Sequence, residues 1–165
     1  MSVSVAALQV SDSNTTFDAT QLVVEVPDAN KWFYLAIQNT LKLAQPIHLH
    51  GHDFYVLGQA EGTFDDDNAT AALNLSNPPR RDVAMLPRSG YLVLGFYSDN
   101  PGVWLLHCHV GWHTGEGLAL QIVERDAEIL ALYLYHGASM DLAGTCQAWN
   151  EWQDTKAIVQ DDLGI

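Results

Sequence analysis

Residues 102–113 read Gly-Val-Trp-Leu-Leu-His-Cys-His-Val-Gly-Trp-His. The first five are mostly apolar and favour a strand, and His107-Cys108-His109 follows directly. In a strand, residues i and i+2 point to one face and residue i+1 to the other. His107 and His109 therefore project together, while Cys108 faces the opposite side, toward the core of its own domain. Residues 45–52, Gln-Pro-Ile-His-Leu-His-Gly-His, repeat the device. His48 and His50 share a face, and Leu49 turns to the other.

Six of the seven histidines fall in these two segments. Imidazole suits copper, zinc, iron and nickel, and a thiolate adds a preference for copper or zinc. The four paired histidines, His48, His50, His107 and His109, can form half of a polynuclear metal cage. His113, five residues after Cys108, can return on a loop to share a metal with the thiolate. Single-residue links between the two centres make a good electron path. His52 is expected to orient a ligand from behind. His136 belongs to neither cluster and is expected at the surface end of a helix, where a positive charge suits the dipole.

Outward from these segments, apolar stretches rich in Val, Leu, Tyr, Phe and Trp recur at residues 21–26, 32–38, 54–57, 91–97, 102–106 and 118–123. Turn signals punctuate them, including Asp28-Ala29-Asn30, Asn77-Pro78-Pro79, Arg88-Ser89-Gly90 and Asp99-Asn100-Pro101-Gly102. Many short strands with regular turns predict an all-β sandwich or barrel. No long helical pattern interrupts them, which argues against a parallel α/β fold. Residues 65–79 read as a long acidic surface loop. After Glu124 the pattern changes: residues 126–135 and 140–152 are compatible with short helices, with Trp149 and Trp152 on one face. The expected organisation is a β core over 1–125 and a helical extension and tail over 126–165.

The chain has 165 residues, 48% hydrophobic and 16% charged, so it can bury a core and is not disordered as a whole. Seven Lys and Arg stand against twenty Asp and Glu, for a net charge of −13. That balance excludes nucleic acid and anionic membranes as natural partners. No apolar run approaches the roughly 18 residues of a membrane span. The first residues lack the basic and apolar regions of a signal peptide. Sequons at Asn14, Asn68 and Asn74 lean toward a secreted lineage. Cys108 and Cys146 are the only cysteines, so no disulfide scaffold is possible.

At the histidine motifs the sequence resembles the C-terminal cupredoxin (plastocyanin-like) domain of multicopper oxidases, especially ascomycete-type fungal laccases. Residues 45–52 and 107–118 stand where that family carries HPxHLHGH and HCHxxxHxxxG with an axial position. Residues 77–82, 99–104 and 145–150 are also similar, and the likeness is densest from Trp32 to Trp152. The resemblance implies a Greek-key cupredoxin sandwich that binds copper. It implies that Cys108 and His113 ligate a type-1 (blue) copper, with Leu118 at the axial position as a non-ligand. A missing axial sulfur usually raises the copper potential. It further implies His48 on a type-2 copper and His50, His107 and His109 on a type-3 pair. A phenolic reductant would give electrons singly to the type-1 copper, and dioxygen would become water at the cluster.

Three departures accompany the likeness. Gln45 stands where the family has its remaining type-1 histidine. An amide is a weaker ligand than imidazole, so the expectation is a weakened, distorted blue site, or one that is dead or deliberately altered. The family also takes half of its cluster histidines from an N-terminal domain, and this sequence has no further HxH pair. Residues 161–165 only loosely resemble the family's C-terminal plug. The cysteine corresponding to Cys146 bridges to the N-terminal domain in the look-alike enzymes; here it is expected as a free thiol or as a buried, inert one.

The primary expectation is the copper-binding C-terminal domain of a laccase-like oxidase, incomplete as a lone chain, as a gene fragment or single-domain excision would be. The missing half-cage would come from an N-terminal cupredoxin domain or from a second copy of the chain. The alternative is a stand-alone cupredoxin that transfers electrons without oxidase turnover. A third class, a cupin-type mononuclear metal enzyme, expects Glu after His50 where Asp53 stands, and its second motif is not evident.

Overall fold

The structure is a computed structural model, and it describes residue 17, residues 22–64 and residues 73–155. Among the described residues nine strands come in chain order: β1 (Val23–Val26), β2 (Trp32–Gln38), β3 (Gln45–Leu49), β4 (Phe54–Glu61), β5 (Arg80–Arg81), β6 (Val83–Leu86), β7 (Gly90–Tyr97), β8 (Gly102–Cys108) and β9 (Ala119–Glu124). Three helices are described: α1 (Gly111–Gly115) between β8 and β9, and α2 (Asp126–Tyr135) and α3 (Ser139–Thr155) after β9.

The strands form two sheets. One has the order β1-β9-β8-β3-β6 and the other β2-β7-β4-β5. All pairs are antiparallel except β1 with β9. Between the sheets lies an apolar core that includes Phe54, Leu49, Leu92, Leu94, Phe96, Ile47, Leu106 and Ile122. The period-2 pattern of β2 explains its seat: Phe33, Leu35 and Ile37 pack on this core, while Trp32 and Tyr34 face outward. In β4 the register slips between Val56 and Gly58, leaving Leu57 as the extra residue of a bulge. Leu57 is buried, and a Cβ at Gly95 would meet its side chain, so the glycine makes room for the bulged leucine.

This is the expected all-β sandwich with helices toward the C-terminal end. Most of the expected strands form close to their expected bounds. The apolar run at 54–57 extends to Glu61, and β5 and β6 were not anticipated. Residues 73–79 carry no regular structure, and the rest of the expected acidic loop lies outside the described residues. Both C-terminal helices are present. The rings of Trp149 and Trp152 lie 5.1 Å apart on α3, and His136 is the C-cap of α2.

The sheet order positions the site. β3 lies beside β8, with His48 opposite His107 and Ile47 opposite Cys108. The backbone N–H of His109 donates to the Pro46 carbonyl at 2.7 Å, and that of His50 donates to Leu105 at 2.9 Å. The two histidine motifs, some sixty residues apart in sequence, therefore end side by side.

Candidate metal centre

The alternation expected for β8 holds in space. Cys108 is fully buried within the core. His107 and His109 turn to the other side, their rings stacked with centroids 5.4 Å apart. His48 joins them from β3, at 5.7 Å from His107 and 5.5 Å from His109. His50, in the turn just past β3, lies 4.8 Å from His48 and 5.1 Å from His107. The four imidazoles thus form one half-exposed face at the end of the sheet.

The backbone sets which nitrogens are free. His48 Nδ1 bonds the Asp82 carbonyl at 2.8 Å, and His107 Nδ1 bonds the Cys108 carbonyl at 2.8 Å. A ring that donates from Nδ1 presents Nε2 as its ligand atom. His50 Nε2 and His107 Nε2 meet at 3.0 Å. Burial first, and then the neighbouring rings of His48, His107 and His109, hold His50 below the usual histidine range. A neutral ring is the form that binds metal. Among the described residues no three His, Cys, Asp or Glu side chains close on a single ion. Nothing among the described residues covers the outer side of the face, where His50 and His109 are exposed, and the face offers its nitrogens in pairs.

His113 stands on the other side of β8. It was expected on a loop; it sits instead on the short helix α1, because residues 111–115 complete one hydrogen-bonded turn directly after the strand. Its Nδ1 lies 3.7 Å from Cys108 Sγ. Gln45, 1% exposed, completes the group: its Oε1 is 3.0 Å from that sulfur and 2.7 Å from that nitrogen. The Val110 N–H points at the sulfur from 3.4 Å. Leu118 brackets the site through its backbone, accepting from Cys108 N at 3.0 Å and donating to His113 O at 2.9 Å. Leu118 and Cys108 also line an apolar cavity of about 640 Å³ with Leu35, Ile37, Leu106 and Leu120.

His52 lies behind the histidine face, as expected. Its Nδ1 is 3.3 Å from the His50 carbonyl, and its Nε2 is 2.8 Å from the fully buried carboxylate of Glu124. Burial works against a charged ring, but the hydrogen bond and charge of Glu124 outweigh it, and His52 is held above the ordinary histidine value. The other oxygen of Glu124 accepts from Asn100 N at 2.8 Å, and Asn100 Nδ2 reaches the Gly51 carbonyl at 2.8 Å. Glu124, Asn100 and Thr114, whose hydroxyl donates to the Cys108 carbonyl, were not anticipated. An acid closing an apolar strand is the only signal in the sequence that singles out Glu124.

Cys146 is half-buried on α3 and free, so it is neither deeply buried nor bridged within the described residues. Asn74 is exposed; Asn14 and Asn68 lie outside the described residues.

A sandwich with histidines in strand-adjacent pairs, and a buried cysteine beside a half-buried histidine behind them, matches known proteins. Residues 2–128 match the multicopper oxidase family model. The chain is 50% identical over 143 residues to Laccase-1 of Botryotinia fuckeliana, covering 86% of this chain and 25% of that protein. It is 38% identical over 170 residues to a laccase of Neurospora crassa, covering 94% of this chain and 27% of that one. The crystal structure of the Botrytis aclada laccase superposes with a TM-score of 0.77 at 43% identity, over 92% of this chain and 28% of that chain. The chain belongs to the multicopper oxidases. It is similar to the C-terminal cupredoxin domain of fungal laccases and spans about a quarter of the length of the relatives it matches. Copper is the cofactor this family implies. The donors present fit it: a thiol and imidazoles, with two Nε2 atoms at 3.0 Å and a thiol–imidazole pair at 3.7 Å.

Proposed function

We propose that this chain is the copper-bearing portion of a laccase-like oxidase that oxidises phenolic reductants one electron at a time and passes the electrons to dioxygen. The observation that carries this is the face of four imidazoles at the ends of β3 and β8, set on the opposite side of β8 from buried Cys108 and its half-buried neighbour His113. His48 would hold the type-2 copper, and His50, His107 and His109 the type-3 pair. Cys108 and His113 would hold the type-1 copper, with Leu118 as an apolar, non-ligating neighbour. When bound, copper supplies one-electron chemistry at the entry site and dioxygen reduction at the cluster.

The chain's own residues prepare both sites. Cys108 links the two through the peptide bonds to His107 and His109, a short covalent route between the centres. The hydroxyl of Thr114 and Nδ1 of His107 both engage the Cys108 carbonyl, which fixes the ring where strand and helix meet. Asp82 fixes His48 in the same way. The open side of the histidine face requires further ligands from another cupredoxin domain or from a second copy. The lineage is extracellular, and exposed Asn74 is a glycosylation acceptor among the described residues.

A copper(II) titration followed by electron paramagnetic resonance tests the assignment. The expected result is copper on the imidazole face, with the His48→Ala/His107→Ala double variant weakening that binding at least about tenfold. Unchanged affinity and unchanged nitrogen hyperfine structure in the double variant would overturn it.

A further inference from the structure

We propose that Gln45 is itself a metal ligand, through Oε1, and that this chain carries a Cys108–His113–Gln45 site. The inference deepens the copper-binding reading above and rests on it for the metal.

Three donor atoms of different kinds converge. Cys108 Sγ and His113 Nδ1 stand 3.7 Å apart, and Gln45 Oε1 lies 3.0 and 2.7 Å from them. Metal–sulfur and metal–nitrogen bonds of about 2.3 and 2.0 Å at tetrahedral to trigonal angles place two such ligands roughly 3.5–3.8 Å apart. The thiol–imidazole pair is already at that separation. Only the amide oxygen is drawn in closer, by hydrogen bonds from the thiol and the ring. The protons on those bonds are the ones a metal displaces: the thiol loses its proton to solvent, and the ring proton moves to Nε2.

The surroundings favour this role over a packing one. Gln45 is 1% exposed, at the start of β3 and opposite Leu86 of β6, in an apolar setting. Its Nε2 has no hydrogen-bond partner among the described residues. A buried amide with an orphaned N–H₂ costs about 1–3 kcal/mol relative to a satisfied one. An apolar residue would pack there without that cost. What the amide adds is an oxygen aimed at the Cys–His pair. The set is one thiolate, one imidazole and one neutral oxygen, with no axial sulfur. It is a weaker nitrogen field than two imidazoles provide, so replacement by histidine tightens binding.

Cobalt(II) is the first probe, because it reports thiolate coordination by charge-transfer absorption and leaves the thiol unoxidised. The unaltered chain is expected to show a thiolate–cobalt band that is absent from Cys108→Ser. Gln45→Leu, similar in volume but without the oxygen, should raise the half-saturating cobalt concentration at least about tenfold. Gln45→Glu should keep binding within a few-fold, and Gln45→His should lower that concentration and, with copper(II), add an intense blue absorption. In the unaltered chain, cadmium(II) should shift the side-chain carbonyl carbon signal of Gln45 and leave those of Gln38 and Gln59 in place. Gln45→Leu binding cobalt at Cys108 as tightly as the unaltered chain, an unmoved Gln45 signal with cadmium bound, or no thiolate band at all would each overturn the proposal. The His48→Ala/His107→Ala double variant separates the two readings. A Gln45-dependent thiolate band that persists while the double variant leaves copper(II) affinity and nitrogen hyperfine structure unchanged would sink the cluster assignment and leave the Gln45 site standing.

Discussion

Gly51 turns the chain between His50 and His52 with φ of +73°, a region that side-chain-bearing residues rarely adopt. A Cβ there would fall 2.4 Å from the Trp104 ring, which is itself tied to Asn100 through Nε1. Gly51→Ala is expected to cost about 2–4 kcal/mol, from backbone strain and overpacking together, and urea unfolding measures it. Behind the same turn, Glu124 meets His52. Glu124→Ala leaves a buried ring without its counter-charge and should cost about 3–5 kcal/mol. The pair also gives stability a pH sense. His52 is held above its ordinary value, so its contribution is complete below about pH 6.5 and fades as pH rises through the raised value. Metal-free Glu124→Gln should lose this alkaline fade in thermal unfolding; an unchanged profile would mean the pair does not set it.

At the scale of elements, the helices after β9 are attached unequally. Ile129 of α2 is 1% exposed and anchors that helix to the sandwich. No side chain described on α3 is buried, and Trp149 and Trp152 remain exposed. Ile129→Ala should therefore cost about 2–4 kcal/mol, whereas removing residues 139–165 should lower the melting temperature by only a few degrees. A collapse of the β core on that deletion would mean that α3 is part of the folding core rather than an attachment to it. Elements were legible where a local period speaks. The alternation of Trp32–Gln38 and the run Tyr91–Tyr97 mark β2 and β7 directly. Val83–Leu86 and Arg80–Arg81 carry no such pattern, and their pairing partners give them strand form. His113 was misplaced onto a loop because a single helical turn is too short to show a period.

For the whole molecule, the half-open imidazole face is the governing fact. Four-electron reduction of dioxygen needs a closed cluster, and four histidines in pairs do not close one. The 165-residue chain alone, loaded with copper and supplied with a phenol, is therefore expected to show no uptake of dioxygen to water. An oxygen electrode with a peroxide assay checks this. Sedimentation equilibrium with and without copper tells whether a second copy supplies the missing side: a copper-dependent dimer would support that source, and a monomer in both conditions would remove it.

The sequence by itself determined the sides of each strand. His107 and His109 share a face and Cys108 opposes them because a β backbone alternates every residue, whatever the rest of the chain does. It also determined the ligand chemistry, since thiol and imidazole are properties of residues. Tertiary structure alone decided which strands are neighbours. The pairing of β3 with β8 sets His48 opposite His107, and it brings Gln45 to Cys108 across 63 positions of chain. The meeting of Glu124 with His52 and the half-cage opening arise the same way. They rest on burial and on long-range backbone hydrogen bonds, whose partners no local spacing specifies.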